Sequence, residues 1–334
     1  LKEYQMLFDD PVRIYDCSNS DERPAHRGGG GPVMNDIMRY LHDNDEDYYY
    51  TFVSSPVDAE VIITNDLFPT SILTTAKFFQ IPLVKRMCGP FWQRDLQYRN
   101  EPLNLAATQA DMVIFITEYS KDQYFHSGGK PLKNHCVVKH WVDPNVFKVD
   151  DFMPAKHDFT MTACATDWSR KEKRFDDLVR FAEANLDVQF VLIGKVDTQL
   201  PSNMMKMGYL SEPKDIAYIL QSSDGFVNLS YRDGATKTIP QAIGCGVPVL
   251  YADSGGVSDM VNSPDFGVAI PDNKCLLVED NVPQLSLEDM QTSFSKFRSN
   301  LDMMRKSLRT FDGKLAFRKM LDGYFEAINS VVNR

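Results

Sequence analysis

With 334 residues, 43% of them hydrophobic and 25% charged, the chain has the length of two ordinary domains and the composition of a globular protein. No apolar run reaches the roughly 18–20 residues that span a bilayer, and the opening LKEYQMLFDD lacks the basic, apolar, small-residue order of a secretory leader, so a cytoplasmic protein is expected. A formal net charge of −10 argues against a partner held through many phosphates while leaving room for a local basic face, and six scattered cysteines without a C-x-x-C pair read as reduced structural thiols.

In chain order, 12–15 reads as a strand, followed by a polar loop through His26, Arg27 and four glycines (Gly28 to Gly31) and a helix over 33–42. Strands follow at 50–53, 61–64, 83–87, 112–116 and 136–139, with helical stretches at 71–79 and 103–109 between them. Residues 143–156, rich in proline and acids, interrupt the pattern and read as a linker. The same grammar then repeats: strands at 159–163, 190–193, 225–229 and 247–251, helices at 174–184, 213–221 and 236–243. Strands alternating with helices predict an α/β fold with two mostly parallel sheets, each covered on both faces. The last helix, over 314–332, carries apolar residues at three-to-four spacing and no strand after it. This divides the chain into 1–148, 149–312 and a C-terminal helix, 313–334.

The densest chemical signal is 223–261. A short apolar strand ends in Ser230-Tyr231-Arg232-Asp233-Gly234, and a helix opens near Thr236. Amides at a helix start lack internal partners and carry positive potential, so the turn of Asp233, Gly234, Ala235, Thr236, Lys237 and Thr238 suits an anion such as a diphosphate, with Lys237 adding charge. Ser254-Gly255-Gly256 lets backbone approach a ligand closely. The same order of strand, loop and helix also occurs in doubly wound domains that bind nothing there.

The order of residues within this segment resembles the retaining GT-B glycosyltransferases of family 4, whose pattern is an acidic residue and glycine, a second acid seven residues after the first, then Gly-x-Pro-Val and Gly-Gly. Asp233 and Gln241 stand at the two acidic positions, and Gly246-Val247-Pro248-Val249 follows. The likeness extends over about 28–261, including His140-Trp141-Val142-Asp143-Pro144-Asn145-Val146-Phe147 in place of Asn-Gly-Val-Asp-x-x-x-Phe. It implies two Rossmann-like domains facing across a cleft, the first taking the acceptor, the second a nucleotide-sugar donor, with the last helix crossing back onto the first domain. The first acid would hold the donor sugar and the second the ribose. Here the acids are replaced by a shorter aspartate and an uncharged glutamine, which weakens the second contact by roughly half and bears on which donor is used.

The resemblance also implies an arginine and a lysine on the leaving diphosphate, where positive charge stabilises the breaking bond. Lys173 takes the lysine position; Trp168 stands where the arginine would be, so Arg170 is the candidate substitute. Gly28 and Gly29 correspond to the glycine loop beneath the diphosphate, and Tyr209 with Leu210 to the loop that receives the base. On the acceptor side the chain offers Arg86, Phe91, Trp92 and Arg94, while the family's histidine is replaced by Met87 or Cys88. The expected activity is transfer of a sugar, from a UDP-sugar by preference, to a hydroxyl with retention, by front-face attack, with neither metal nor other cofactor. Other readings are a nucleotide-sugar epimerase or phosphorylase, a non-catalytic nucleotide-sugar or nucleic-acid binder, and transfer to a hydroxylated base in DNA, as some viral members of this architecture perform. Lys85, Arg86, Arg94, Arg99 and the Phe91-Trp92 pair speak for DNA, the acidic net charge against it.

Overall fold

The computed structural model describes residues 11–17, 37, 50–65, 67–91, 93–149, 159–273, 276 and 280–332. Gly28 and Gly29, Trp92, and all but Ile37 of the predicted helix at 33–42 lie outside them, as does the side chain of Arg94. The chain forms two compact units, one of residues 1–140, 276–278 and 316–334, the other of 141–275 and 279–315.

The first unit holds strands β1 (Val12–Asp16), β2 (Tyr50–Phe52), β3 (Val61–Thr64), β4 (Leu83–Met87), β5 (Met112–Phe115) and β6 (His135–Val137), all parallel, in the order β2-β1-β3-β4-β5-β6. Helices α1 (Thr70–Phe79), α2 (Asn100–Gln109) and α3 (Glu118–His126) make the crossovers from β3 to β6. Their core packs Ile72, Ala76, Ala106 and Tyr124 against Ile62, Met87 and Phe115. The interior strands β3, β4 and β5 are buried at every residue, as in a parallel sheet covered on both faces, and β4 carries two cations into that interior. Lys85 and Arg86 are 0% and 1% exposed.

In the second unit, β7 (Phe159–Asp167), β8 (Val188–Lys195), β9 (Met204–Gly208), β10 (Gly225–Asn228), β11 (Val249–Ala252) and β12 (Gly267–Ile270) form a parallel sheet in the order β12-β11-β10-β7-β8-β9. Numbered from β7 this is the 3-2-1-4-5-6 order of a doubly wound domain, in which the sheet reverses direction between β7 and β10 and ligands bind beyond the strand C-termini at that reversal. Helices α4 (Phe175–Glu183), α5 (Pro213–Gln221), α6 (Thr238–Gly244) and α7 (Val257–Val261) link the strands, and α8 (Leu287–Arg309) follows them. The core sets Phe181, Phe294 and Phe297 against Met161 and Phe190.

The predicted α/β architecture of two parallel sheets is therefore present, and strands β9 and β12 and helices α3, α7 and α8 add to the elements read from sequence. Strands β9 and β12 stand at the two edges of their sheet, and β9, with three exposed residues in a row, lacks the unbroken apolar run that marks an interior strand. Helix α8 begins where Ser286 caps the amide of Asp289. Helix α6 starts at Thr238, two residues later than read.

The last helix, α9 (Gly313–Asn329), belongs for most of its length to the first unit. Phe325 stacks on Tyr50 at 3.6 Å, and the Arg86 Nε–H donates to Tyr324 Oη at 2.6 Å. A buried guanidinium needs its acceptors, and those of Arg86 are Tyr324, Asn65 Oδ1 at 3.2 Å and Cys88 Sγ at 3.9 Å. Removing the shortest of them in Tyr324→Phe should cost about 2 kcal/mol, read as a lower urea midpoint of the transition that reports on the first unit.

Candidate functional site

Just beyond β10, four consecutive residues are pinned. The Ser230 amide donates to Asn228 Oδ1 at 3.1 Å, the Tyr231 amide to the Glu172 carbonyl at 2.7 Å and the Arg232 amide to Ser254 Oγ at 3.0 Å. The Asp233 carbonyl accepts from the Gly256 amide at 2.8 Å. Gly255, at φ +62°, lies so close that an added Cβ would meet Asp233 O at 2.6 Å and Arg232 Cα at 2.7 Å. The close approach allowed by Ser254-Gly255-Gly256 is thus to the Asp233 turn itself. These glycines set the turn rather than leave room beside it.

Beyond β7, a short turn over Lys171–Lys173 brings Lys173 to the same place. Its Nζ donates to Asp233 Oδ2 at 2.7 Å and to Ser230 Oγ at 3.4 Å, with the two charged side chains only 13% and 21% exposed. β7 and β10 are the strands flanking the reversal of the sheet, so the pair sits where a doubly wound domain binds ligands. Burial alone would raise the Asp233 carboxyl, but the charge and hydrogen bond of Lys173, the charge of Arg170 and the Ala235 amide outweigh it and hold the pKa below the usual carboxylate value. Asp233 is therefore an anion at neutral pH, fit to accept hydrogen bonds from hydroxyls and unfit to donate a proton. A small pocket beside Lys173 is lined by Cys164, Trp168, Asn228 and Ser230. Burial, opposed by the Lys173 charge, pushes the Cys164 thiol up to about 12, which leaves it protonated and unreactive.

The other sequence-predicted donor residues gather around this pair to different degrees. Arg170 is exposed, ion-paired with Glu172, and contributes charge to Asp233. Trp168 is buried and donates its indole N–H to the Ile193 carbonyl at 3.1 Å, a fixed core role. Gly234 and Ala235 are half-buried beside Asp233; Thr236 Oγ1 lies 2.8 Å from Thr238 Oγ1, and Lys237 immediately precedes α6. Gln241 is buried on α6, in a helix whose last six residues are all buried. Tyr209 is 51% exposed just past β9, with Leu210 half-buried beside it.

On the acceptor side the sequence expectation changes. Lys85 and Arg86 lie inside the sheet and present no basic surface, because a parallel strand covered on both faces hides every side chain. Phe91 is half-buried under the Arg99 guanidinium, 4.8 Å from its ring centre, and its backbone is held by Asn100. Among the described residues no group of three or more His, Cys, Asp or Glu side chains is placed to hold a metal ion, and no helix is long and apolar enough to cross a membrane.

The arrangement agrees with what the chain is similar to. Residues 163–285, which hold Lys173, Asp233 and Gln241, match the family model described as glycosyl transferases group 1. This segment is a group 1 glycosyltransferase domain. Over 184 residues the chain is 24% identical to the N-acetyl-alpha-D-glucosaminyl L-malate synthase of Bacillus anthracis, covering 50% of this chain and 48% of the relative, so it spans about half the length of the curated protein it matches. A glycosyltransferase from Rickettsia africae superposes with a TM-score of 0.69 at 11% identity, over 98% of this chain and all of the other. Sucrose-phosphate synthase from Thermosynechococcus elongatus gives 0.68 at 12% identity, over 96% and 100% of the two chains. The HepE protein of Anabaena, solved with UDP and glucose, gives 0.66 at 13% identity, over 94% and 99%. At such identities the structures establish a shared GT-B fold.

Two outcomes follow from this geometry. Gly255→Ala, which drives a methyl group into the Asp233 turn, should lower the thermal midpoint of the second unit by several degrees, about 2–4 °C for each kcal/mol lost, in scanning calorimetry. The stability difference between the unchanged chain and Asp233→Asn should be constant from neutral pH down to the ordinary carboxylate range, about pH 4. A depressed pKa gives stability that is present above that range and lost as pH falls through the lowered value, so denaturant midpoints should converge only in stronger acid.

Proposed function

We propose that the chain transfers a sugar from a nucleoside diphosphate sugar, a uridine nucleotide by preference, to a hydroxyl acceptor with retention of configuration. The observation that carries this reading is the Lys173–Asp233 pair at the reversal of the second sheet. Lys173 is the cation that meets the diphosphate as the anomeric bond breaks, assisted by Arg170 and by the amides of the turn from Gly234 to Thr238. These groups supply the charge stabilisation, and the reaction needs no metal ion. The resemblance assigns Gly28 and Gly29 to the diphosphate, Tyr209 and Leu210 to the base, and Gln241 to the ribose through a neutral hydrogen bond.

Asp233, held as an anion, accepts hydrogen bonds from donor-sugar hydroxyls. It does not serve as the proton donor of a glycosidase-like mechanism. The acceptor hydroxyl attacks from the side of the leaving group. Its oxygen bonds to the anomeric carbon, the carbon–oxygen bond to the diphosphate breaks, and the proton passes to a diphosphate oxygen. The similarity to HepE, solved with UDP-glucose as well as with UDP and glucose, and to a malate synthase named for an N-acetylglucosaminyl group supports a UDP-sugar. The resemblance assigns acceptor binding to the first half of the sequence, with Phe91, Trp92 and Arg94 as its candidate residues. The burial of Lys85 and Arg86 removes two of the cations that favoured DNA as the acceptor.

The test separates the two charges. Lys173→Ala should weaken binding of UDP itself, about tenfold to a hundredfold for loss of one charge-assisted contact. Asp233→Ala frees Lys173, so UDP affinity should hold or rise while affinity for intact UDP-sugar falls. Calorimetric titration of both ligands reads this directly, after a thermal-shift screen of nucleotide sugars has found the donor. Equal losses for UDP and UDP-sugar in both variants would refute the assignment.

A further inference from the structure

Lys173 is followed by an arginine in a conformation that disfavours side chains. Arg174 has φ 52° and ψ 47°, the left-handed region that glycine enters freely and a Cβ resists. Its side chain is 2% exposed and grips several segments. Nη1 and Nη2 donate to the two oxygens of Asp272, which is 5% exposed, at 2.6 and 3.1 Å. Nε donates to the Pro283 carbonyl at 3.0 Å and Nη1 to the Leu229 carbonyl at 3.5 Å, and the guanidinium lies 4.7 Å from the centre of the Tyr231 ring. Asp177, 3.9 Å from Nε, closes the network through Arg180 at 2.8 Å and the Leu285 amide at 3.0 Å.

Leu229 and Tyr231 bracket Ser230, and both precede Asp233, so the guanidinium touches the turn that receives the lysine. Its own backbone ends the turn that supplies the lysine, through the Arg174 amide to the Lys171 carbonyl at 3.0 Å. One residue, by its backbone on one side and its side chain on the other, thus touches both sides of the Lys173–Asp233 pair. A planar fork that binds a carboxylate through two parallel bonds holds direction as well as distance, which a single charge does not.

We infer that Arg174, clamped by Asp272, is a positioning residue that sets the affinity for the nucleoside diphosphate by fixing where Lys173 points. It touches no substrate. The inference rests on the reading of Lys173 as the cation for the diphosphate.

The experiment is a double-mutant cycle on ligand affinity. Arg174→Gly keeps the left-handed backbone, and Asp272→Asn, made with it, avoids leaving a buried carboxylate unpaired. The double variant and the unchanged chain are titrated calorimetrically with UDP, GDP and ADP, using whichever binds the unchanged chain most tightly, and both are repeated with Lys173→Ala. The double variant should bind about tenfold more weakly than the unchanged chain, yet add less than about twofold to the loss already caused by Lys173→Ala, since residues acting through one another are not additive. An equal loss in both backgrounds would mean that the clamp only supports the fold, and no loss in either would mean that it positions nothing. Both results overturn the inference. Asp272→Asn alone, which spares Arg174 and removes one charge, is carried through the same cycle with the same non-additivity expected, so the question is answered even where the double variant does not unfold cooperatively. If Lys173→Ala leaves affinity unchanged, or none of the three nucleotides binds, the functional reading itself fails and the clamp falls with it.

Discussion

A lysine ammonium and an aspartate carboxylate 2.7 Å apart, both largely withdrawn from water, hold together the ends of two loops at the reversal of a parallel sheet. Such a pair is poor value for stability alone. Removing two charges from water costs most of what their attraction returns, and apolar side chains of similar size often serve a fold as well. In the proposed function its meaning lies in what each member offers once separated, Lys173 a cation for a diphosphate and Asp233 an anion for hydroxyls. In the free protein each masks the other. Under that proposal a donor bringing both phosphate and hydroxyls would replace both halves of the pair at once, whereas a bare diphosphate would leave Asp233 without Lys173.

The rest of the second unit is arranged around that pair. The reversal between β7 and β10 brings Lys173 and Asp233 together although 60 residues separate them. Amide hydrogen bonds fix Ser230, Tyr231 and Arg232 in turn, Gly255 closes against the backbone of Arg232 and Asp233, and Arg174 reaches the same turn from the lysine side. Burial also keeps the neighbouring Cys164 neutral, so no thiolate from it competes beside Lys173 in the pocket.

The chain of interior strands was legible because parallel strands covered on both faces are short continuous apolar runs, as at Val61–Thr64 and Met112–Phe115. The edge strand β9 was not legible, since Met205, Lys206 and Met207 are all exposed and no alternation survives, whereas β12, Gly267–Ile270, is a short and mostly buried apolar run missing from the strands read in the sequence. Asp233 stood out from local order, an acid and glycine between a short strand and a helix start, whereas Lys173 stood out only through the resemblance to the family's arginine-and-lysine pair. Lys85 and Arg86 show the limit of such reading. A pair of adjacent cations looks like a basic surface until the sheet is seen to bury both faces of β4. The Arg174–Asp272 bond joins residues 98 apart with no pattern around either, and only the folded chain reveals it. A positive φ at a non-glycine residue is likewise invisible in sequence.

The most direct measurement is a crystal structure of the chain with a bound uridine nucleotide. The account predicts that Lys173 Nζ leaves Asp233 for an oxygen of the diphosphate, and that Asp233 turns to hydroxyls when the intact UDP-sugar is bound. A nucleotide seated elsewhere, with the 2.7 Å contact between Lys173 and Asp233 unbroken, would contradict it.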